Sequence, residues 1–127
     1  MKEFMLLIRN KGDAKKMLSD EMHKAFLKKC EVYIEHLKKD GKLLSAQPLV
    51  REGKTISGSS GNWKETEFDE TSEVQVGYYH ILAEDINDAI TIAKENPEFE
   101  FTSNARIEVR PIKTKENTGY VYPKHSN

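Results

Sequence analysis

The stretch "EVQVGYYHILAEDINDAITIAKENP", from Glu73 to Pro97, reads as a β-strand that passes directly into a short α-helix. Aromatic residues fill the strand half, and such residues favour strands. The helix half begins after Asp85, a residue type that caps helix N-termini, and stops at Asn96, because the residue before a proline avoids the helical backbone. Its predicted buried face carries Ile86, Ala89, Ile90 and Ala93. A strand followed by a helix is half of a β-α-β unit, so the rest of the chain should supply its partners.

The first third of the chain has the same strand-and-helix order. "KEFMLLIRN", from Lys2 to Asn10, is apolar on both faces, as expected of a central strand that is covered on both sides. A long amphipathic helix follows, with Ser19 and Asp20 as N-capping residues and Gly41 at its C-terminal end. Its predicted apolar stripe consists of Met22, Phe26, Cys30, Tyr33, Ile34 and Leu37. "KLLSAQPLV", from Lys42 to Val50, forms the next strand.

Two further segments complete the predicted fold. Residues 51–73 are rich in Gly, Ser and Thr and indicate a protruding hairpin and loop, whereas "ARIEVRPI", residues 105–112, alternates like a strand with one wet face. The order β-α-β-(hairpin)-β-α-β predicts a ferredoxin-like α+β sandwich, in which two helices cover one face of a four-stranded sheet. We assign residues 1–113 to this domain and residues 114–127 to a polar C-terminal tail.

The sheet face without helices needs a cover of its own. Either Met5 and Leu7 or the alternate set of Phe4, Leu6 and Ile8 lies on that face, because successive side chains of a strand point to opposite sides. Exposing such an apolar patch on a monomer would be unusual. We therefore expect a homodimer in which two sheets pack face to face.

Composition restricts the classes of partner. The 127 residues carry a net charge of −1 without long blocks of either sign, so direct nucleic-acid contact is not expected. Cys30 is the single cysteine, and no CxxC or His/Cys cluster surrounds it, so neither a disulfide nor a metal site is predicted. The sequence has no apolar run long enough for a membrane span and no motif for a cofactor. We therefore expect a cytoplasmic protein that neither spans a membrane nor binds a cofactor.

Several motifs, taken in order, resemble one family. "GYYHILAEDINDAITIAKENPEF" and "ARIEVRPI", together with "MLLIR" and "DGKLLSAQPL", are similar to the YCII-related proteins and in particular to their DGPF branch. The resemblance covers residues 2 to 113. It implies a dimeric α+β barrel in which two sheets enclose a cleft. Some members of this branch carry the description of transcription initiation proteins.

The chain departs from this family pattern at two places. Where the DGPF branch often has its naming tetrapeptide, this chain has "GNWK", residues 61–64. In smaller YCII-related proteins a histidine on the first helix and an aspartate after the second helix resemble an acid–base pair. Those positions fall on Cys30 and Asn96 here, and His23 can substitute for the histidine only in a different helix register. The resemblance therefore does not carry a catalytic pair onto this chain.

His80 is the candidate general acid or base, because a histidine titrates near neutral pH. We predict that it shares a strand face with Val76, Tyr78 and Leu82, and that Tyr78 belongs to the same ligand site. Tyr79 should point the other way, into the core. The alternative is a structural histidine whose hydrogen bonds are satisfied inside a dimer.

Arg106 and Arg110 lie on the polar face of the last strand, where two guanidinium groups can clamp a carboxylate or a phosphate. The alternative for them is a cross-strand ladder of ion pairs. Trp63 lies in a Gly/Ser-rich loop, where it can close over a ligand or dock on the partner subunit.

Three functions are compatible with these patterns. We favour a homodimer that binds a small polar or anionic molecule in the inter-sheet cleft, with Trp63, Tyr78, His80, Arg106 and Arg110 as ligand-binding residues. The first alternative is a small enzyme that uses His80 as general acid or base on an anionic organic substrate. The second is a protein-binding regulator of transcription, which rests on the descriptions of relatives.

Overall fold

The computed structural model describes residues 1–12, 14–69 and 72–123. The elements are, in chain order, β1 (Lys2–Lys11), a 3-10 helix (Ala14–Met17), α1 (Asp20–Lys39), β2 (Leu43–Pro48), β3 (Lys54–Ser59), β4 (Asn62–Glu67), β5 (Glu73–Ala83), α2 (Ile86–Lys94), α3 (Glu98–Phe101) and β6 (Arg106–Pro111). This order confirms the predicted β-α-β-(hairpin)-β-α-β arrangement and adds the one-turn helix α3. Among the described helices, none has both the length and the apolar character that a membrane span requires.

Four strands form one antiparallel sheet in the order β2-β5-β1-β6. The strand β1 is therefore central, as its apolar residues on both faces predict. This strand order, with two longer helices in the connections, is that of the ferredoxin-like α+β fold and confirms the fold class. Strands β3 and β4 pair only with each other, as a separate two-stranded hairpin.

The hydrophobic core lies between this sheet and the helices. Leu6 and Ile81, from the two central strands, are its largest fully buried side chains. The buried core cluster consists of Phe4, Leu6, Ile8, Tyr33, Leu37, Val76, Tyr79, Ile81, Ala83, Ala89, Ile92 and Ala93. Tyr79 is among them, which confirms its predicted core position. Met5 and Leu7 are the apolar β1 residues on the helix-free face, where they are half-buried.

The predicted helix ends are confirmed. Ser19 Oγ accepts a hydrogen bond from the Met22 backbone N–H at 3.2 Å, and the Asp85 carboxylate accepts one from Asp88 N–H at 2.8 Å. Gly41 follows α1 with a φ of 70°, the left-handed conformation that favours glycine.

Two predicted core positions, Met22 and Ile86, are wrong, because these side chains are exposed. Each belongs to the first turn of its helix. Contact with the core begins one turn later, at Phe26 on α1 and at Ala89 on α2, where the side chains are buried.

Val76 does not share the face of His80, contrary to the sequence prediction. A β-bulge interrupts the pairing of β1 with β5, so that Ile8 lies opposite Gly77 and Arg9 lies opposite Gln75. Val76 is the extra residue of the bulge, and its side chain is buried in the helix-side core. The bulge therefore moves one predicted cleft residue to the opposite side of the sheet.

The hairpin and the tail lie apart from this core. Every residue of β3 and β4 is exposed, and Trp63 belongs to β4 rather than to the predicted loop. In the tail, Lys115 and Val121 form an isolated antiparallel bridge, and the Tyr120 and Tyr122 rings pack edge to face. Residues 124–127 of the predicted tail lie outside the described residues.

The two leucines Leu6 and Leu27 provide a test of the core assignment. Leu6→Ala should lower the free energy of unfolding by about 2–5 kcal/mol, because it removes a fully buried side chain and leaves a cavity. Leu27 is 52% exposed on α1, so Leu27→Ala should change stability by less than about 0.5 kcal/mol. Chemical denaturation measures both values. Equal losses in the two variants would contradict the core assignment.

Candidate functional site

A cavity of about 460 Å³ lies between α1 and the part of the sheet formed by β2 and β5. We call it the helix-side cavity. Its lining residues are Ile8, Phe26, Leu27, Cys30, Glu31, Ile34, Glu35, Lys38, Ala46, Gln47, Pro48, Val76, Gly77, Tyr79, Asn96 and Glu98. The rim residues from α1 and β2 are exposed, whereas those from β1, β5 and the segment after α2 are buried. The cavity therefore leads from the surface to a buried floor.

Small residues on the sheet leave space for this cavity. Ala46 on β2 presents only a methyl group, and Gly77 on β5 presents no side chain. A Cβ atom at Gly77 would lie 3.2 Å from the Gln47 carbonyl oxygen of β2, which is tighter than ordinary packing. The close approach of the β2 backbone thus explains the glycine, and the missing side chain leaves room beneath Cys30 and Ile34 of α1.

The floor of the helix-side cavity is polar because of the Asn96-Pro97-Glu98 turn. Asn96 Oδ1 accepts a hydrogen bond from the Glu98 backbone N–H at 2.9 Å, which fixes the start of α3. Glu98 is only 4% exposed, and Asn96 only 2%. Carboxylates are seldom buried to this degree, so Glu98 is the most unusual group in the lining.

Two tyrosines pack beside this turn, with the Tyr33 and Tyr79 rings 5.4 Å apart in an edge-to-face arrangement. Tyr33 donates its hydroxyl proton to the Ile92 carbonyl oxygen at 2.7 Å. Burial raises the pKa of both phenols above the ordinary value, and the negative charges of Cys30 and Glu98 raise the pKa of Tyr79 further.

The Asn96 amide opposes this effect. Its side chain lies close enough to both hydroxyl groups to lower the pKa of each phenol. Within the described residues, however, Asn96 Nδ2 has no partner that meets the distance and angle of a hydrogen bond. The floor is thus a buried polar cluster in a region of low dielectric constant.

Apolar walls with a few polar groups at the buried end are typical of small-molecule sites. The resemblance had assigned Cys30 and Asn96 to the family's acid–base positions, and both residues line this cavity. Sequence reasoning missed Glu98. Its only local signal is an acidic residue directly after an Asn-Pro helix stop, which does not reveal that α3 turns the side chain inward.

Four of the five predicted site residues lie on the helix-free face of the sheet. His80 lies opposite Ser45 on one side and Met5 on the other, and Met5 lies opposite Arg110. Directly opposite residues share a face, so these residues form one row across the sheet. Tyr78 belongs to the next row, and its hydroxyl lies 3.4 Å from Ser45 Oγ.

His80 is held by a carboxylate. Its Nε2 lies 2.8 Å from Glu3 Oε1, and the histidine side chain is buried although no helix covers it. A carboxylate next to an imidazole fixes the orientation of the ring. This geometry is compatible both with a satisfied structural histidine and with an oriented acid–base group.

The two predicted arginines differ in their surroundings. Arg106 Nη1 lies 3.2 Å from Glu73, while Arg9 bridges Glu73 at 2.9 Å and Glu108 at 3.5 Å. These four side chains form the cross-strand ion-pair ladder that was the alternative prediction. Arg110 is exposed and has no ion pair within the described part of the chain. It is separated from His80 by β1 alone, or roughly 10 Å at the usual strand spacing.

Trp63, the fifth predicted site residue, is not brought to this face. It is 64% exposed on the separate β3–β4 hairpin, where it lies opposite Gly58. Its role in ligand or partner binding stays a prediction. In the described ranges, no three His, Cys, Asp or Glu side chains are grouped as a metal site requires.

The sequence was compared with models of protein families and with curated proteins. A family model with the description YCII-related domain matches residues 2–114, which include all the elements described above. No curated protein matches the chain.

The raised pKa of the buried phenols predicts a pH effect. Unfolding returns these phenols to an ordinary pKa near 10. The two phenols should therefore leave the free energy of unfolding unchanged below about pH 10 and lower it as the pH rises further, because the phenols then ionise more readily in the unfolded chain. Tyr79→Phe should weaken this alkaline loss, which melting curves across the alkaline range can measure. As a control, the tyrosine absorbance is titrated in denaturant, where burial is lost and the phenols should show an ordinary pKa near 10. An identical alkaline loss in variant and wild type would contradict the effect.

Proposed function

Because the chain belongs to the YCII-related domain family, we propose that it binds a small organic molecule in the helix-side cavity. One observation carries the proposal: about 460 Å³ of space, walled by apolar side chains, ends at the buried polar side chains of Asn96 and Glu98. A core would ordinarily close such a space, since protein interiors pack densely.

The size and accessibility of the cavity support this function. Its volume lies within the range of about 300–1,000 Å³ that is usual for ligand pockets. Ala46, Gln47 and Pro48 leave the rim open along the edge strand β2, so a ligand can enter without unfolding of the sheet.

A second candidate function concerns the helix-free face. The hydrogen bond between His80 and Glu3 favours an enzyme in which His80 acts as general acid or base. Arg110, in the same row and without a carboxylate partner among the described residues, would attract an anionic substrate. Leu7 and Tyr78 are half-buried there, and their apolar surface supports the expected homodimer with sheets face to face.

We further propose that the chain belongs to the DGPF branch of the family and that it is located in the cytoplasm. The branch is supported by the "GYYH" and "EVRPI" motifs and the location by the single cysteine.

A cavity-filling variant tests the proposed ligand site. The probe is the neutral compound 3-(2-naphthyl)propan-1-ol, followed by ligand-observed NMR and by protection of Cys30 from alkylation by iodoacetamide. Ala46→Leu adds bulk inside the cavity and should weaken binding by about tenfold or more, a loss near 1.4 kcal/mol. Ala25→Leu adds the same bulk on the exposed side of α1 and should have no effect. Undetectable binding, or equal binding to both variants, would refute the proposed site.

The homodimer has its own test. Sedimentation at micromolar concentration should give twice the mass of the chain, and Leu7→Glu should give the monomer, because it places a charge in the apolar face-to-face contact. Leu27→Glu, at an exposed position on α1, should leave the dimer intact. A wild-type monomer at this concentration would remove the prediction.

A further inference from the structure

We infer that the helix-side cavity selects an uncharged molecule with a carbonyl oxygen, such as a ketone, an ester or an amide, which accepts a hydrogen bond from Asn96 Nδ2. The carbonyl oxygen lies at the buried end of the cavity, and the apolar body of the molecule lies against the walls. This inference rests on the proposed function, because it names the ligand class of the same cavity.

The first argument is a buried donor at the floor of the cavity. Asn96 lines the cavity and is only 2% exposed. Within the described residues, its Nδ2 has no hydrogen-bond partner. Most buried polar side chains have such a partner, so a donor without one needs a specific explanation. The oxygen atom of a bound molecule provides it, because that oxygen can accept the hydrogen bond.

The second argument is the orientation of the Asn96 amide. Its Oδ1 accepts a hydrogen bond from the Glu98 backbone N–H at 2.9 Å, so the oxygen end of the amide faces α3. The reversed amide would place two donors against each other, which fixes this assignment. The side chain also lies close to Tyr79, another residue of the lining. Nδ2 is therefore the end of the amide that can serve the cavity, and it has two hydrogen atoms to donate.

The neighbouring phenols are held by contacts of their own. The Tyr33 hydroxyl donates to the Ile92 carbonyl oxygen at 2.7 Å, and the Tyr79 ring packs edge to face on that of Tyr33 at 5.4 Å. Asn96 is held in turn by its bond to Glu98. A shift of either phenol toward Nδ2 would disturb a contact that is already made. A carbonyl group that enters the cavity can approach Nδ2 without such a cost.

The third argument is the chemistry of the remaining lining. Among the lining residues that the structure describes, there is no arginine and no histidine, and the single lysine, Lys38, is exposed. A buried carboxylate or phosphate needs a cation or several donors, whereas a carbonyl oxygen needs one donor. Phe26, Ile34 and Val76 supply apolar contacts for the rest of the molecule. The lining thus fits an uncharged acceptor on an apolar body.

The experiment compares three molecules with one skeleton: 4-phenylbutan-2-one, butylbenzene and 3-phenylpropanoate. Butylbenzene replaces the carbonyl group of the ketone by a methylene group, and the carboxylate replaces its methyl group by a charged oxygen. Binding is measured by ligand-observed NMR at neutral pH. The carboxylate should bind more weakly than the ketone, because one amide donor does not compensate for the burial of a charge.

Two variants test the donor itself. Asn96→Leu keeps the approximate size of the side chain but removes the donor, and should weaken binding of the ketone by about fivefold, the effect of one hydrogen bond. Its affinity for butylbenzene should not fall. Asn87→Leu makes the same change at an exposed position on α2 and should leave both affinities unchanged.

A measurement on the wild type reports the proposed contact directly. The side-chain amide protons of Asn96 are followed in proton–nitrogen NMR spectra. Their signals should move downfield when the ketone binds, because a hydrogen bond deshields the donated proton. Butylbenzene carries the same phenyl ring and controls for the effect of the ring on these signals. The downfield movement should therefore be larger with the ketone.

The outcomes separate this inference from the proposed function. If Asn96→Leu weakens the ketone no more than butylbenzene, or if the carboxylate binds as tightly as the ketone, the inference is overturned while the ligand site stands. The same holds if the ketone does not bind although 3-(2-naphthyl)propan-1-ol does. If none of the four molecules binds, both fail. Should Asn96→Leu not fold, the wild-type amide signals decide, and equal movement with ketone and butylbenzene overturns the inference.

Discussion

The pairing of β1 with β5 and β6 is the interaction on which the rest of the structure depends. Because β1 is central, its alternating side chains supply both faces of the sheet, with Leu6 in the helix-side core and Met5 in the row of His80 and Arg110. A register slip of one residue would exchange these two sets. Burial of Leu6 therefore places His80 on the face away from the helices.

A second constraint is the lack of side-chain volume where α1 crosses β2 and β5. Ala46 and Gly77 lie beneath the half-buried Cys30 and Ile34, and the space between them is the helix-side cavity. At Gly77 the close backbone of β2 forbids a larger residue without displacement. The small residues Ala46 and Gly77 thus allow both the close packing of the edge strand β2 and the formation of the cavity. Both features depend on the pairing of β2 with β5.

The two faces of the sheet differ in electrostatic character. Glu98 makes the buried end of the helix-side cavity acidic, whereas the helix-free face carries Arg110 without a carboxylate partner among the described residues. A chain of near-neutral net charge thus carries a buried carboxylate on one side of its sheet and an exposed guanidinium group on the other. Net charge excludes neither a cationic nor an anionic ligand, because local burial and pairing decide how strongly each group acts.

The sequence by itself determined the four strands of the main sheet and the two longer helices, their caps, the central position of β1 and the family, because periodicity and capping are local properties. It also placed Tyr79 in the core and left the ion-pair ladder open as an alternative. Only the tertiary structure decided that Val76 leaves the face of His80, that Arg106 is engaged by Glu73, and that Glu98 is buried beside Asn96. A bulge, a cross-strand ion pair and an inward turn each depend on contacts between residues far apart in the chain, and local patterns do not encode such contacts.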